Sequence, residues 1–146
     1  MKIDKFLVES PVFAVVKAAR QMEANLNRTL REEGLSFFPG LLLVAVFLEA
    51  DGPVSPSQLA ASFSTTRGNI SHSLSALEAR GLVKRQVDAE DARVLRILIR
   101  PEGRRAAMRL MKHFNALETK VETEIGAREV RQAMTVVRRL EALSGE

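Results

Sequence analysis

Ser57-Gln58-Leu59-Ala60, then Thr66-Arg67-Gly68-Asn69-Ile70-Ser71-His72, then Leu77-Glu78-Ala79-Arg80-Gly81-Leu82-Val83-Lys84-Arg85, and finally Asp88-Ala89-Glu90-Asp91-Ala92-Arg93 decide the fold. In that order they spell a short helix, a turn, a second helix capped at Thr66, a glycine stop at Gly81 and two strands joined by a charged tip. The first helix opens at Ser55-Pro56-Ser57-Gln58, where the Ser55 hydroxyl can accept from the Gln58 N–H and the Gln58 side chain can reach back to the Ser55 N–H, a capping box. Leu59, Ala60 and Phe63 are its expected inward face, and Ser64-Thr65-Thr66 the turn. Beyond Thr66 the spacing puts Ile70, Leu74 and Leu77 on one side and Arg67, Asn69, Ser71, His72 and Ser75 toward the other. Residues 82–87 and 93–99 are short and rich in β-branched side chains, as a hairpin requires.

These blocks resemble the winged helix-turn-helix core of the MarR family of bacterial transcriptional regulators. The resemblance is specific over residues 57–103 and one of pattern elsewhere. It implies a mostly α (α+β) fold: one MarR-type domain over residues 1–146, with a winged helix-turn-helix core at about 53–103 and N- and C-terminal dimerisation helices at about 1–34 and 104–146. Two departures stand out. Glu90 occupies a wing position where the family often has a base, and Ile99-Arg100-Pro101-Glu102-Gly103 replaces the usual Leu-Thr-x-x-Gly turn, with the glycine retained. Proline suits a first helical position, so the second change keeps the fold.

Outside the core, Ser10-Pro11 reads as an N-cap followed by a first-turn proline. Phe13, Val16, Ala19, Met22, Leu26 and Leu30 then recur at spacings of three and four, predicting a long helix down to Gly34. A second start at Ser36 leads into Leu41-Leu42-Leu43-Val44-Ala45-Val46-Phe47-Leu48, a helix expected to have no exposed face; Asp51-Gly52-Pro53 closes it, with Gly52 expected to take left-handed geometry. After Gly103 the stripe Met108, Met111, Phe114, Leu117, Val121 and Ile125 predicts a helix broken at Gly126, and Val130, Met134, Val137, Leu140 and Leu143 predict another. These stripes exceed what the small winged unit can cover, so the first helix and the last two are expected to pack together and against a second copy.

Composition narrows the chemistry. A chain of 146 residues with 46% hydrophobic content fits one compact domain. The absence of cysteine excludes disulfides, thiolate zinc sites and thiol-based oxidant sensing by this chain. Two histidines, His72 and His113, offer no multi-histidine metal site, so no cofactor or metal is expected. Neither a secretory leader nor an apolar run of the roughly 20 residues that span a bilayer is present, pointing to a cytoplasmic protein with no membrane partner. There is no glycine-rich phosphate loop, metal-ligand cluster or nucleophile motif, so an enzyme is not expected.

The net charge of +4 favours polyanions only mildly, but its distribution is uneven. Over residues 57–100 of the winged core Arg67, Arg80, Lys84, Arg85, Arg93, Arg96 and Arg100 face only Glu78, Asp88, Glu90 and Asp91. Basic groups around a helix that fits the major groove match double-stranded DNA, whose phosphates supply affinity through counterion release. The candidate DNA-binding residues are Thr66, Arg67, Gly68, Asn69, Ser71, His72 and Ser75 on the recognition helix and Lys84, Arg85, Asp91 and Arg93 on the wing. Arg67 can pair bidentately with guanine and Asn69 with adenine, the alternative for each being a phosphate contact or plain exposure. The Asp91-x-Arg93 pair matches the family's wing, where the arginine is expected to enter a narrow minor groove while the acid holds the wing in shape; an ordinary surface ion pair is the alternative.

The resemblance further implies a homodimer on a pseudo-palindromic operator, repression by blocking promoter access, and release by a small aromatic or phenolic anion. Phe37, Phe38, Phe47 and Arg20 are weak pointers to an effector cleft, and no effector-binding residue is assigned. A different class of function, a winged-helix protein-interaction module without specific DNA binding, would favour exposed aromatic anchors where this chain places bases.

Overall fold

The computed structural model describes residues 1–145. Seven helices and one hairpin follow in the order α1 (Lys2–Glu9), α2 (Pro11–Thr29), α3 (Phe37–Leu48), α4 (Pro56–Ser62), α5 (Arg67–Ala79), β1 (Val83–Val87), β2 (Leu95–Ile99), α6 (Pro101–Glu124) and α7 (Ala127–Ser144) among the described residues. They divide into two compact units, one of Leu30–His113 and the other of Met1–Thr29 with the chain from Phe114 onward.

The unit Leu30–His113 holds the core. Leu42, Leu43 and Val46 of α3, Ile70, Leu74 and Leu77 of α5, Val83 and Ile97 of the hairpin, and Leu110 of α6 are all buried. Burying side chains of this size stabilises the fold by roughly 1.5–3 kcal/mol each, which is what orients α5. The hairpin pairs antiparallel from Val83 opposite Ile99 to Val87 opposite Leu95. Its β2 edge is extended by Val54, whose carbonyl accepts the Ile97 N–H at 2.9 Å, tying the segment ahead of α4 to the wing.

Local signals act as the spacing predicts around α4 and α5. The Ser55–Gln58 capping box forms in both directions, with Gln58 N–H to Ser55 Oγ at 3.3 Å and Ser55 N–H to Gln58 Oε1 at 2.8 Å. Thr66 caps α5 through its hydroxyl, which accepts the Asn69 N–H at 3.1 Å. Gly81 turns the chain into β1 at φ +69°, a left-handed geometry that disfavours side chains.

Several expectations are corrected. A helix, α1, precedes the first one predicted and ends at Ser10, which is its C-cap. The predicted helix running to Gly34 stops at Thr29, and Leu30–Glu33 tighten into a 3₁₀ turn before Gly34 at φ +68°. Helix α3 does have an exposed end, since Leu48 is 63% exposed. Gly52 does not adopt positive φ, so the chain leaves α3 without a left-handed cap there. On α6 the buried face is Gly103, Ala106, Ala107 and Leu110, while Met108 of the predicted stripe faces outward.

The second unit is made differently. Helices α1, α2 and α7 contain no fully buried residue, although α2 packs on both α1 and α7. The Phe6 and Phe13 rings meet at a tilt, 5.5 Å between centroids, yet both remain exposed, as do Val16, Met22, Met134, Val136 and Leu143. No helix among the described residues is long and apolar enough to cross a membrane.

Candidate nucleic-acid interface

Helix α5 is seated by its inward face and presents Thr66, Arg67, Gly68, Asn69, Ser71, His72 and Ser75 as exposed positions. Arg67 carries no ion pair among the described residues and lies in the first turn. Asn69 is partly engaged, since its side-chain amide donates to Thr65 Oγ1 at 3.0 Å. Ser75 turns back on its helix: its hydroxyl donates to the Ser71 carbonyl at 3.0 Å and accepts from Arg85 at 3.1 Å.

The wing is braced from within. Asp88 takes the N–H groups of Glu90 at 2.9 Å and Asp91 at 3.1 Å, and its other oxygen accepts Arg96 Nε at 2.6 Å. The Arg96 side chain, and then the two backbone donors, hold the Asp88 carboxyl below the usual aspartate range. Arg96 also donates to the Pro53 carbonyl at 2.9 Å, so one arginine links the wing tip to the strand-like segment before α4. Asp91 accepts the Arg93 backbone N–H at 3.0 Å and its Nε at 3.1 Å, which lowers the Asp91 pKa through the side-chain bond first. Even so paired, the Arg93 side chain is 91% exposed.

The basic residues of the core therefore divide by role. Arg80 donates to the carbonyls of Gly34 and Glu33, capping the 3₁₀ turn. Arg85 is bound by Glu78, and Arg96 by Asp88. Arg67, Lys84 and Arg100 are exposed and carry no ion pair among the described residues. Of the two arginines foreseen on the wing, the structure points Arg93 outward and folds Arg85 against α5. Phe38, one of the effector pointers, packs edge-on to Phe63 at 5.6 Å, whereas Arg20 lines a shallow depression with Leu7, Phe13 and Val16.

Sequence reasoning missed the cluster at Glu33, which accepts Arg109 Nε at 2.9 Å and faces His113 Nε2 at 3.4 Å. The Arg109 hydrogen bond, with His113 adding to it, outweighs burial and keeps the Glu33 pKa lowered. Its only sequence signal is the spacing of Arg109 and His113 on one helix face.

Comparison with known proteins agrees with this geometry. The MarR family model matches residues 42–94. The HTH-type transcriptional regulator PrsX of Escherichia coli is 30% identical over 88 residues, 60% of this chain and 53% of the relative, so the chain spans about half the length of the curated relatives it matches. Among solved structures, MepR of S. aureus in a DNA complex superposes with a TM-score of 0.80 at 18% identity, covering 92% of this chain and 96% of that one. BldR, a transcriptional regulator of Sulfolobus solfataricus, gives 0.74 at 24% identity over 95% of this chain and 98% of its own. MOSR of M. tuberculosis, a transcriptional regulator solved in complex with DNA, gives 0.73 at 25% identity over 94% and 98%. Residues 42–94 thus match the MarR family, and the chain as a whole has the mostly helical winged-helix fold of these solved structures.

Proposed function

We propose that this chain is a double-stranded DNA-binding transcriptional regulator that acts as a homodimeric repressor on a pseudo-palindromic operator. The observation that carries the reading is the pairing of two outward elements on one core: α5 with the unpaired Arg67 in its first turn, and a braced wing with Arg93 at its tip. A recognition helix in the major groove and an arginine in a narrow minor groove make complementary contacts, the first reading base edges and the second reading shape. Thr66, Gly68, Asn69, Ser71 and His72 complete the helix surface, while Lys84 adds a phosphate contact.

Dimerisation is supported by the apolar surface left on α1, α2 and α7, where Phe6, Met22 and Leu143 are more than half exposed. A two-fold dimer sets its recognition helices about 34 Å apart, one turn of DNA. Release by a small aromatic or phenolic anion belongs to the same reading and rests on the family resemblance alone. An interaction module is disfavoured, because the exposed positions of α5 are polar or small and offer no aromatic anchor.

The deciding experiment is a fluorescence-anisotropy titration of the protein against its own upstream intergenic DNA and a shuffled control, across a salt series. Selective binding with a steep salt slope is expected, and Arg67→Ala should weaken it by about 1–3 kcal/mol and relax one base position. Equal binding to both duplexes would refute operator recognition in that DNA. Sedimentation at micromolar concentration tests the dimer, and a monomer would refute it.

A further inference from the structure

Between the first two turns of α5 and the hairpin lies a concavity of about 330 Å³, lined by Pro56, Arg67, Gly68, Ser71, Arg85 and Leu95 among others. Two arginines and a hydroxyl line it, and no carboxylate does. At its lip, Gly68 is unexplained by the protein itself. It does not adopt positive φ, and a Cβ built on it would meet only Thr66 Oγ1, at 3.9 Å. Glycine in a helix costs stability relative to alanine, because it loses more backbone freedom on folding. A glycine with no turn to make and no neighbour to avoid is therefore a cost with no internal return.

We infer that this concavity seats the sugar-phosphate strand that separates the two grooves, and that Gly68 is bare so that the strand can lie directly against α5. This rests on the DNA-binding reading and deepens it. If α5 occupies a major groove and the wing enters the adjacent minor groove, the strand between those grooves must pass between helix and hairpin. The lining suits that occupant: cationic groups for the phosphates, the Ser71 hydroxyl as a donor, and the apolar faces of Pro56 and Leu95 for the sugars. A side chain at position 68 would fill the space the strand needs while leaving the free protein undisturbed.

The test uses Gly68→Ala and Gly68→Leu in the full chain, with Gly52→Leu as control. Gly52 has nothing within 4 Å of a built Cβ and, like Gly68, no positive φ, but it lies outside this concavity. Each protein is melted by circular dichroism and titrated by anisotropy against one mixed-sequence duplex at low and moderate salt. The Gly68 variants should melt at or above the parent temperature. Gly68→Leu should bind at least about tenfold more weakly, with Gly68→Ala intermediate and Gly52→Leu like the parent, and the salt slope of Gly68→Leu should fall by about the 0.9 expected for one lost phosphate. Parent-like binding by Gly68→Leu, alongside a parent that binds well, overturns this inference and leaves the DNA reading intact. A parent that binds no duplex at low salt overturns both. Should the leucine variant melt early, the alanine variant decides by the same comparison.

Discussion

The Glu78 carboxylate holds Arg85 at three points: its oxygens accept the Arg85 backbone N–H at 3.1 Å, Nε at 2.8 Å and Nη2 at 2.7 Å. Arg85 also reaches Ser75 at 3.1 Å, so the last half of α5 and the first strand of the wing are clamped together. The backbone donor leads in keeping Glu78 ionised below the ordinary glutamate range. Charge and geometry predict opposite outcomes for Glu78→Gln. Removing a negative group near phosphates should strengthen binding by electrostatics alone, whereas loosening the angle between helix and wing should weaken it. We expect the clamp to dominate, with a loss of about 1 kcal/mol in specific binding and an unchanged salt slope. Anisotropy titration of the variant checks the sign. Arg85→Lys should not restore the clamp, because an ammonium cannot reproduce the guanidinium fork.

Gly103 is the glycine the fold cannot lose. A Cβ there would stand 2.0 Å from the Leu82 carbonyl oxygen and 2.9 Å from its carbon, both backbone atoms. Gly103→Ala must push α6 away from the start of β1, and a destabilisation of about 3 kcal/mol or more is expected. Urea denaturation should show a lower midpoint at constant slope. An unchanged midpoint would mean that α6 can shift freely against Leu82.

Removing Arg93 should separate binding from stability. Its side chain is 91% exposed and its ion pair with Asp91 is local, so Arg93→Ala should change unfolding free energy by no more than about 0.5 kcal/mol. Binding should fall most on duplexes with A·T-rich flanks, where the narrow minor groove concentrates negative potential. Equal loss on every flank would make Arg93 a phosphate contact.

Acid should release the Glu33 cluster. Because Arg109, then His113, depress the Glu33 pKa in the folded state, the stabilisation is complete above the unfolded glutamate range and is lost as pH falls through the folded value. Glu33→Gln should therefore cost about 1 kcal/mol near neutrality and progressively less in acid, until the two proteins unfold alike. Chemical denaturation at neutral pH and at successively lower pH measures this convergence. A constant difference across the series would show that Glu33 acts through shape and not through charge.

What could be read from the chain by itself was local. The Ser55–Gln58 box, the Thr66 cap and the turn at Gly81 involve residues no more than three apart, and their outcome depends on side-chain chemistry and backbone sterics that distance in the fold does not alter. The inward set Ile70, Leu74 and Leu77 followed from helical period because these side chains are large and apolar. The same reasoning misread α6, whose buried face joins Leu110 to Gly103, Ala106 and Ala107, three residues too small to stand out in a hydropathy pattern. Tertiary structure alone decided which bases are free. Arg80 meets Gly34 across 46 positions and Arg96 meets Pro53 across 43, and no spacing rule reaches that far. A basic residue counted as surface charge becomes a structural strut when folding brings a carbonyl or carboxylate within hydrogen-bond reach, and that choice is made by packing, not by composition.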